Sequence, residues 1–234
     1  MKKLVVYTAL FTDDLHMTYG TLPEYDVKDV EFICYTNTPF LKSNTWDIRI
    51  VDLEFDNPRK TSRKYKLLPH KYLPNYDGWF WIDNSCCFYY NPVDLYNHYI
   101  GDNFDISLHR HCDRNTLSEE ADICATRNLD NPNIISIQMN KYFNELNYPN
   151  DNGLYETGIL MRKNNDTVVK FNEMWWDELN QHSVRDQLSF PYVLYKNSDI
   201  RLNAIEETFV AHQSVLGRKQ SEHFGSIPRS RSNI

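Results

Sequence analysis

The chain has 234 residues, and 25 Lys and Arg against 32 Asp and Glu give it a formal net charge of -7. That balance excludes a role in coating nucleic acid, which needs a dense cationic surface, but it allows a nucleotide site built from a few local cations. The length suits one sizeable domain, because single cores extend to about 250 residues before they split.

The opening MKKLVVYTALF imitates a signal peptide, but its apolar run is short, carries Tyr7 and Thr8, and meets Asp13 and Asp14 without a small-residue cleavage site. Residues 3–10, 30–36 and 46–51 are short apolar or alternating runs rich in β-branched and aromatic residues, which predicts three strands. Residues 59–72 carry a helical pattern with Pro69 as a kink or stop, and WFWID at 79–83 predicts the next strand. Cys86 and Cys87 alternate like strand residues; with Cys34, Cys112 and Cys124 they make an odd set without a framework, as expected of reduced thiols in a cytosol. Further on the pattern predicts helix 92–99, strand 105–109, helices 117–127 and 132–146, strand 156–163, and helices 166–181 and 185–196. Thr116 and Glu119 have the spacing of a capping box. Such alternation implies an α/β fold with a mostly parallel sheet flanked by helices, and function at the carboxyl ends of its strands. The Ser- and Arg-rich end predicts a domain over 1–216 followed by a loosely held tail at 217–234. No run approaches the length of a bilayer span, so a soluble, cytoplasmic protein is expected.

Candidate chemistry gathers at strand ends and helix starts. Asp83 closes WFWID and is followed by Asn84 and Ser85, so it is a carboxylate placed to hold a divalent cation; a plain strand-end turn is the bland alternative. Arg63, Lys66 and His70 fall at i, i+3 and i+7 within a cationic run, and can share one side toward phosphate. His109 and Arg110 follow a predicted strand and line a cleft; HRHC at 109–112 lacks the paired spacing of a zinc site. Glu156 leads the run ETGILM, and Asp186 and Gln187 open a helix whose N-terminus can hold polar ligands. His212 offers a late imidazole to the cation held by Asp83, whereas Trp175 and Trp176 with Phe171 and Leu179 have the spacing of core.

The strings PHKYLP, WID, LYETG and RDQLSFPYVL, within a similarity running from about residue 4 to 196, resemble a glycosyltransferase-like family long catalogued as a domain of unknown function. Its plant members include proteins linked to turgor regulation and seed mucilage. The resemblance implies a single GT-A-like domain, a nucleotide diphosphate sugar as donor, and a glycan or other hydroxyl as acceptor. For such a transferase Tyr7, Thr8 and Tyr35 are expected to border the base, Arg63, Lys66 and His70 to hold the rest of the donor, and Asp83 with His212 to hold a Mn2+ or Mg2+ ion. Glu156 and Asp186 become the catalytic pair, and His109, Arg110 and Gln187 the acceptor contacts. The family's usual Asp-x-Asp ends here in Ser85, and Glu156 stands where glycogenin-like retaining enzymes have Asn. Metal dependence and stereochemistry therefore stay open, as does a binding module without turnover.

Overall fold

The computed structural model describes residues 3–15, 22–151, 153–206 and 210–212, with Phe88 and residues 210–212 described by their backbone alone. The tail expected at 217–234 lies outside the described residues. Seven strands form one sheet in the order β3-β2-β1-β4-β7-β6-β8. β1 (Leu4–Leu10), β2 (Glu31–Thr36), β3 (Asp47–Ile50) and β4 (Gly78–Ile82) run parallel, as β6 (Ile106–Arg110) does with β8 (Leu202–Ile205). β7 (Tyr155–Lys163) runs antiparallel to both its neighbours, β4 and β6. Its first residues therefore reach the edge where β4 and β6 end.

Every residue of β1 and β4 is buried, as expected for central strands covered on both faces. On one face Trp79, Trp81 and Leu160 pack with Phe171 and Trp175 of α6 (Asp166–Gln181) and Phe190 of α7 (Asp186–Tyr195). On the other, Val6, Phe80 and Met161 pack with Leu95 and Tyr96 of α3 (Pro92–Tyr99). Trp175 and Trp176 are core, as their spacing predicts.

The cationic helix splits. α1 (Pro58–Leu67) starts where the Asn57 side chain accepts from the Arg59 and Lys60 amides, with Pro58 in its first turn. It stops before Pro69, which disfavours helical geometry at Leu68 and starts the short α2 (Pro69–Tyr72). The capping box forms at the head of α4 (Leu117–Thr126). The helix predicted to 146 divides into α5 (Pro132–Asn140) and a π-helical turn, Lys141–Glu145. The alternation at Cys86 and Cys87 is the short strand β5 (Cys86–Phe88), paired with β9 (Val210–His212). β8 and β9 escape sequence reading because each is very short and β8, at the sheet's edge, is only half-buried. All five cysteines are free, and no described helix is long and apolar enough to cross a membrane.

A buried guanidinium ties these layers together. Arg162 of β7 is fully buried and donates to Asn172 Oδ1 of α6 at 2.6 Å, to the Tyr7 hydroxyl of β1, and to the Lys66 carbonyl at the end of α1. Tyr7 in turn donates to that same carbonyl at 2.8 Å. The last carbonyls of α1 lack partners within the helix, and a cation at that end also meets the negative pole of the helix dipole.

Candidate active site

A cleft of about 590 Å³ opens at the carboxyl edge of the sheet. Ala9–Asp13 leaving β1, Asn57–Arg59 with Ser62 and Arg63 of α1, and Trp81, Asp83 and Asn84 leaving β4 line it, and Leu129, Asp130 and Val184 close the far side. Asp130 is fixed there because its Oδ2 accepts from the Ser183 hydroxyl at 2.7 Å and the Val184 amide at 2.8 Å.

Two acids and two cations meet at the cleft floor. Lys66 Nζ lies 2.5 Å from Asp186 Oδ2 and 3.6 Å from Asp83 Oδ1. Arg63 Nε lies 3.1 Å from Asp186 Oδ1, in ion-pair contact without the alignment of a linear hydrogen bond, and its Nη1 is 3.9 Å from Asp83 Oδ1. Thr157 donates to Asp186 Oδ2 at 3.0 Å, and the Trp81 indole donates to Asp83 Oδ1 at 2.7 Å. Asp186 is 1% exposed and Lys66 0%, whereas the Asp83 side chain keeps 26%. Asp83 therefore faces the cleft and Asp186 does not. Burial alone would raise the Asp186 carboxyl, but Arg63 and Lys66 together hold it well below the usual carboxylate range. Lys66 sits below the ordinary lysine value because burial outweighs the pull of Asp186 and Asp83.

The structure brings Arg63, Lys66, Asp83 and Asp186 together and sends other expected residues elsewhere. Tyr7 is buried on one face of β1 within the Arg162 network, and Thr8 is buried on the other. Tyr35 stacks on Tyr65 with ring centroids 4.5 Å apart and donates to the Tyr72 carbonyl at 3.3 Å. None of the three lines the cleft, because side chains in the middle of a strand covered on both faces go into the layers. Lys66 lies under the floor as a counter-ion. His70 is 2.9 Å from Glu173 on α6 and packs near Trp79, at the opposite end of β4 from Asp83.

Glu156 and Asp186 do not share a cleft wall. Tyr155 packs on Phe190 and Thr157 bonds Asp186, so both turn toward α7. Glu156, between them, turns away and accepts from the Cys112 amide at 3.5 Å and thiol at 3.2 Å. That hydrogen bond, with burial, pushes the Cys112 thiol up to about 11. The sheet is irregular here: Leu108 pairs with Leu160 but His109 pairs with Glu156, leaving residues 157–159 of β7 unmatched on β6. Arg110 lies over the Tyr155 ring and 3.8 Å from Glu206, and Gln187 accepts from Arg185 at 3.0 Å and donates to the Tyr155 carbonyl at 3.4 Å.

Fit to a metal is poor at both candidate positions. Mg2+ and Mn2+ want several oxygen ligands, yet Asp83 Oδ1 already faces an N–H and two cations. Asp83 Oδ2 lies beside Gly158, where a Cβ would stand 3.6 Å from it. The His212 side chain lies outside the described residues; its backbone pairs with Cys86. Among the described residues, His111, Cys112 and Glu156 form the one trio of metal-type ligands within reach of each other. His111 Nδ1 accepts from the Asp113 and Arg114 amides at 3.1 and 3.2 Å, and its Nε2 is 2.7 Å from the Arg114 guanidinium. Neither ring nitrogen is turned to a metal.

Residues 30–215 match the family described as TOD1/MUCI70, glycosyltransferase-like domain. The chain belongs to that family. The probable hexosyltransferase MUCI70 of Arabidopsis thaliana is 25% identical over 162 residues, which cover 65% of this chain and 28% of that protein. The chain thus corresponds to little more than a quarter of that relative. Among solved structures, the apo bifunctional glycosyltransferase WbbM is 11% identical, with a TM-score of 0.52 over 87% of this chain and 39% of that one. Its likeness shows the fold alone, a GT-A-like α/β domain. The galactosyltransferase LgtC, solved with donor and acceptor sugar analogues, is 9% identical over 89% of this chain and 86% of that one, at a TM-score of 0.49. Membership matches the family resemblance in PHKYLP, WID, LYETG and RDQLSFPYVL. Trp81, Thr157 and Asp130 escaped notice as site residues; Arg59 was legible only as one cation of the run read toward phosphate.

Proposed function

We propose that the chain transfers a sugar from a nucleotide diphosphate sugar to a hydroxyl of a glycan or other acceptor. The observation that carries this reading is the cleft at the carboxyl edge of β1 and β4, where Arg63 and a partly exposed Asp83 meet over a charge-balanced floor. Open α/β sheets hold ligands at that edge, and guanidinium groups suit the diphosphate. Arg63 lies between its carboxylate partners and the cleft, where its guanidinium can reach phosphate oxygens; Asp186 orients it from below. Glu156, at the start of β7, is the proposed acid-base group toward the acceptor. His109 and Arg110 of β6, paired with Glu156 and Tyr155, and Gln187 at the head of α7 are the proposed acceptor contacts.

Nucleotide diphosphate sugars with UDP, GDP and dTDP should be screened for thermal stabilisation and for slow hydrolysis without acceptor. A donor that both stabilises and turns over supports the transferase. Stabilisation without hydrolysis or transfer favours a silent binding module, a reading helped by the engagement of Asp186 and Asp83 Oδ1 within the protein. No stabilisation by any donor defeats both. Arg63→Ala should weaken binding of the stabilising nucleotide by about 1.5–3 kcal/mol, the worth of a hydrogen bond to a charged group. Calorimetry giving an unchanged affinity would remove Arg63 from the site.

A further inference from the structure

Resting on the transferase reading, we propose that this chain holds the donor's diphosphate without a divalent cation, with Arg59 supplying positive charge and Arg63 directed N–H groups. Three observations support it. The first is electrostatic. Asp83, the carboxylate at the position where a metal motif is expected, is matched by Lys66 at 3.6 Å and Arg63 at 3.9 Å, while Asp186 is matched by the same two groups. Two acids against two cations leave no surplus negative charge to attract a divalent ion, and such an ion beside Asp83 would face two like charges.

The second observation concerns ligands. The position two residues beyond Asp83 holds Ser85, an uncharged hydroxyl, and Asp83 Oδ1 is already an acceptor for Trp81. A cation there would have one carboxylate oxygen from the described residues, few even for an ion that draws most of its shell from phosphate and water.

The third is a ready alternative. Arg59 and Arg63, at i and i+4 on α1, both line the cleft, and the first turn of α1 has no acidic residue. Arg59 is steadied by donating to the Leu129 carbonyl. Partial desolvation, and then the neighbouring guanidiniums of Arg185 and Arg63, pull Arg59 below the ordinary arginine value against the weaker opposite pull of Asp130 and Asp186. Guanidinium pairs bind phosphate oxygens with directed N–H groups, and they need no metal to do so.

The test is calorimetry of UDP, GDP and dTDP on the full chain, each in EDTA and each with MnCl2. At least one nucleotide should bind with a dissociation constant that agrees within about twofold between the two conditions. Arg59→Ala should weaken it by about tenfold in both, the effect of losing one charge-assisted contact. Arg59 is exposed, so this variant should melt with the wild type. Affinity that rises tenfold or more with manganese overturns the proposal, and loss of that rise in His212→Ala or Asp83→Asn would identify the ligands responsible. An Arg59→Ala variant that binds like wild type in EDTA also overturns it. If no nucleotide binds in either condition the transferase reading itself fails, whereas metal-dependent binding sinks the metal-free clamp alone.

Discussion

Asp186→Asn should cost about 3–5 kcal/mol of stability, the usual penalty for breaking a buried ion pair and leaving one charge behind. The stranded charge is Lys66, which is fully buried and 2.5 Å from the carboxylate that the substitution removes. Asp83, 3.6 Å away and partly in solvent, is the weaker partner and offsets only part of the loss. In a chain of this size the melting temperature should fall by roughly 10 °C. The double variant Lys66→Met, Asp186→Asn should recover much of the loss, because removing both partners of a buried pair is often nearly neutral. Urea unfolding decides it: a single variant within about 1 kcal/mol of wild type would show that the pair is not a stabilising unit.

The same pair sets a pH dependence. The Asp186 carboxyl is depressed in the folded state, so it stays ionised at pH values where the unfolded chain takes up a proton. Its contribution is complete above about pH 4, the unfolded carboxyl value, and is lost progressively as pH falls toward the folded value. Asp186→Asn should lack that acid slope.

Glu156→Gln should lower turnover by about 10²-fold or more while leaving the affinity for nucleotide almost unchanged, the pattern of a group that acts in the reaction and not in donor binding. Stability should move little, because Glu156 is partly exposed and its contacts are the Cys112 amide and thiol, both of which can also donate to an amide oxygen. Sugar transfer, or hydrolysis of the donor where the acceptor is unknown, should be measured beside the melting temperature. Full activity in Glu156→Gln would leave the carboxylate a local role in holding the loop after β6.

Much of the fold was legible because its signals are local. β1 and β4 are short apolar runs ended by polar residues, α6 repeats its apolar positions at helical spacing, and Thr116 with Glu119 form a cap three residues apart. Asp83 was legible for the same reason, as a carboxylate placed by the end of its own strand. Facing is different. An aromatic residue on a central strand, such as Tyr7 or Tyr35, reads alike whether it meets a base or another layer of core. Lys66 was expected beside the ligand because it falls on one side of a cationic helix with Arg63. Its partner Asp186 lies half the chain away, and nothing in the residues around Lys66 announces it. The opposite facing of Glu156 and Asp186 follows from alternation along β7, once Thr157 rather than Glu156 is known to meet α7, and that register is set by a partner far along the chain.

Arg162 makes the rigidity of the cleft a property of the whole domain. Its guanidinium grips the end of α1 from β7 while also binding β1 and α6, so the helix carrying Arg59 and Arg63 cannot peel from the sheet without dismantling a shared junction. Amide protons in the middle of α1 should accordingly exchange with solvent only through openings close in free energy to global unfolding, in contrast to the fast, local exchange of a mobile binding loop. A ligand would then meet its arginines already in place, and its binding should slow exchange across all four elements at once.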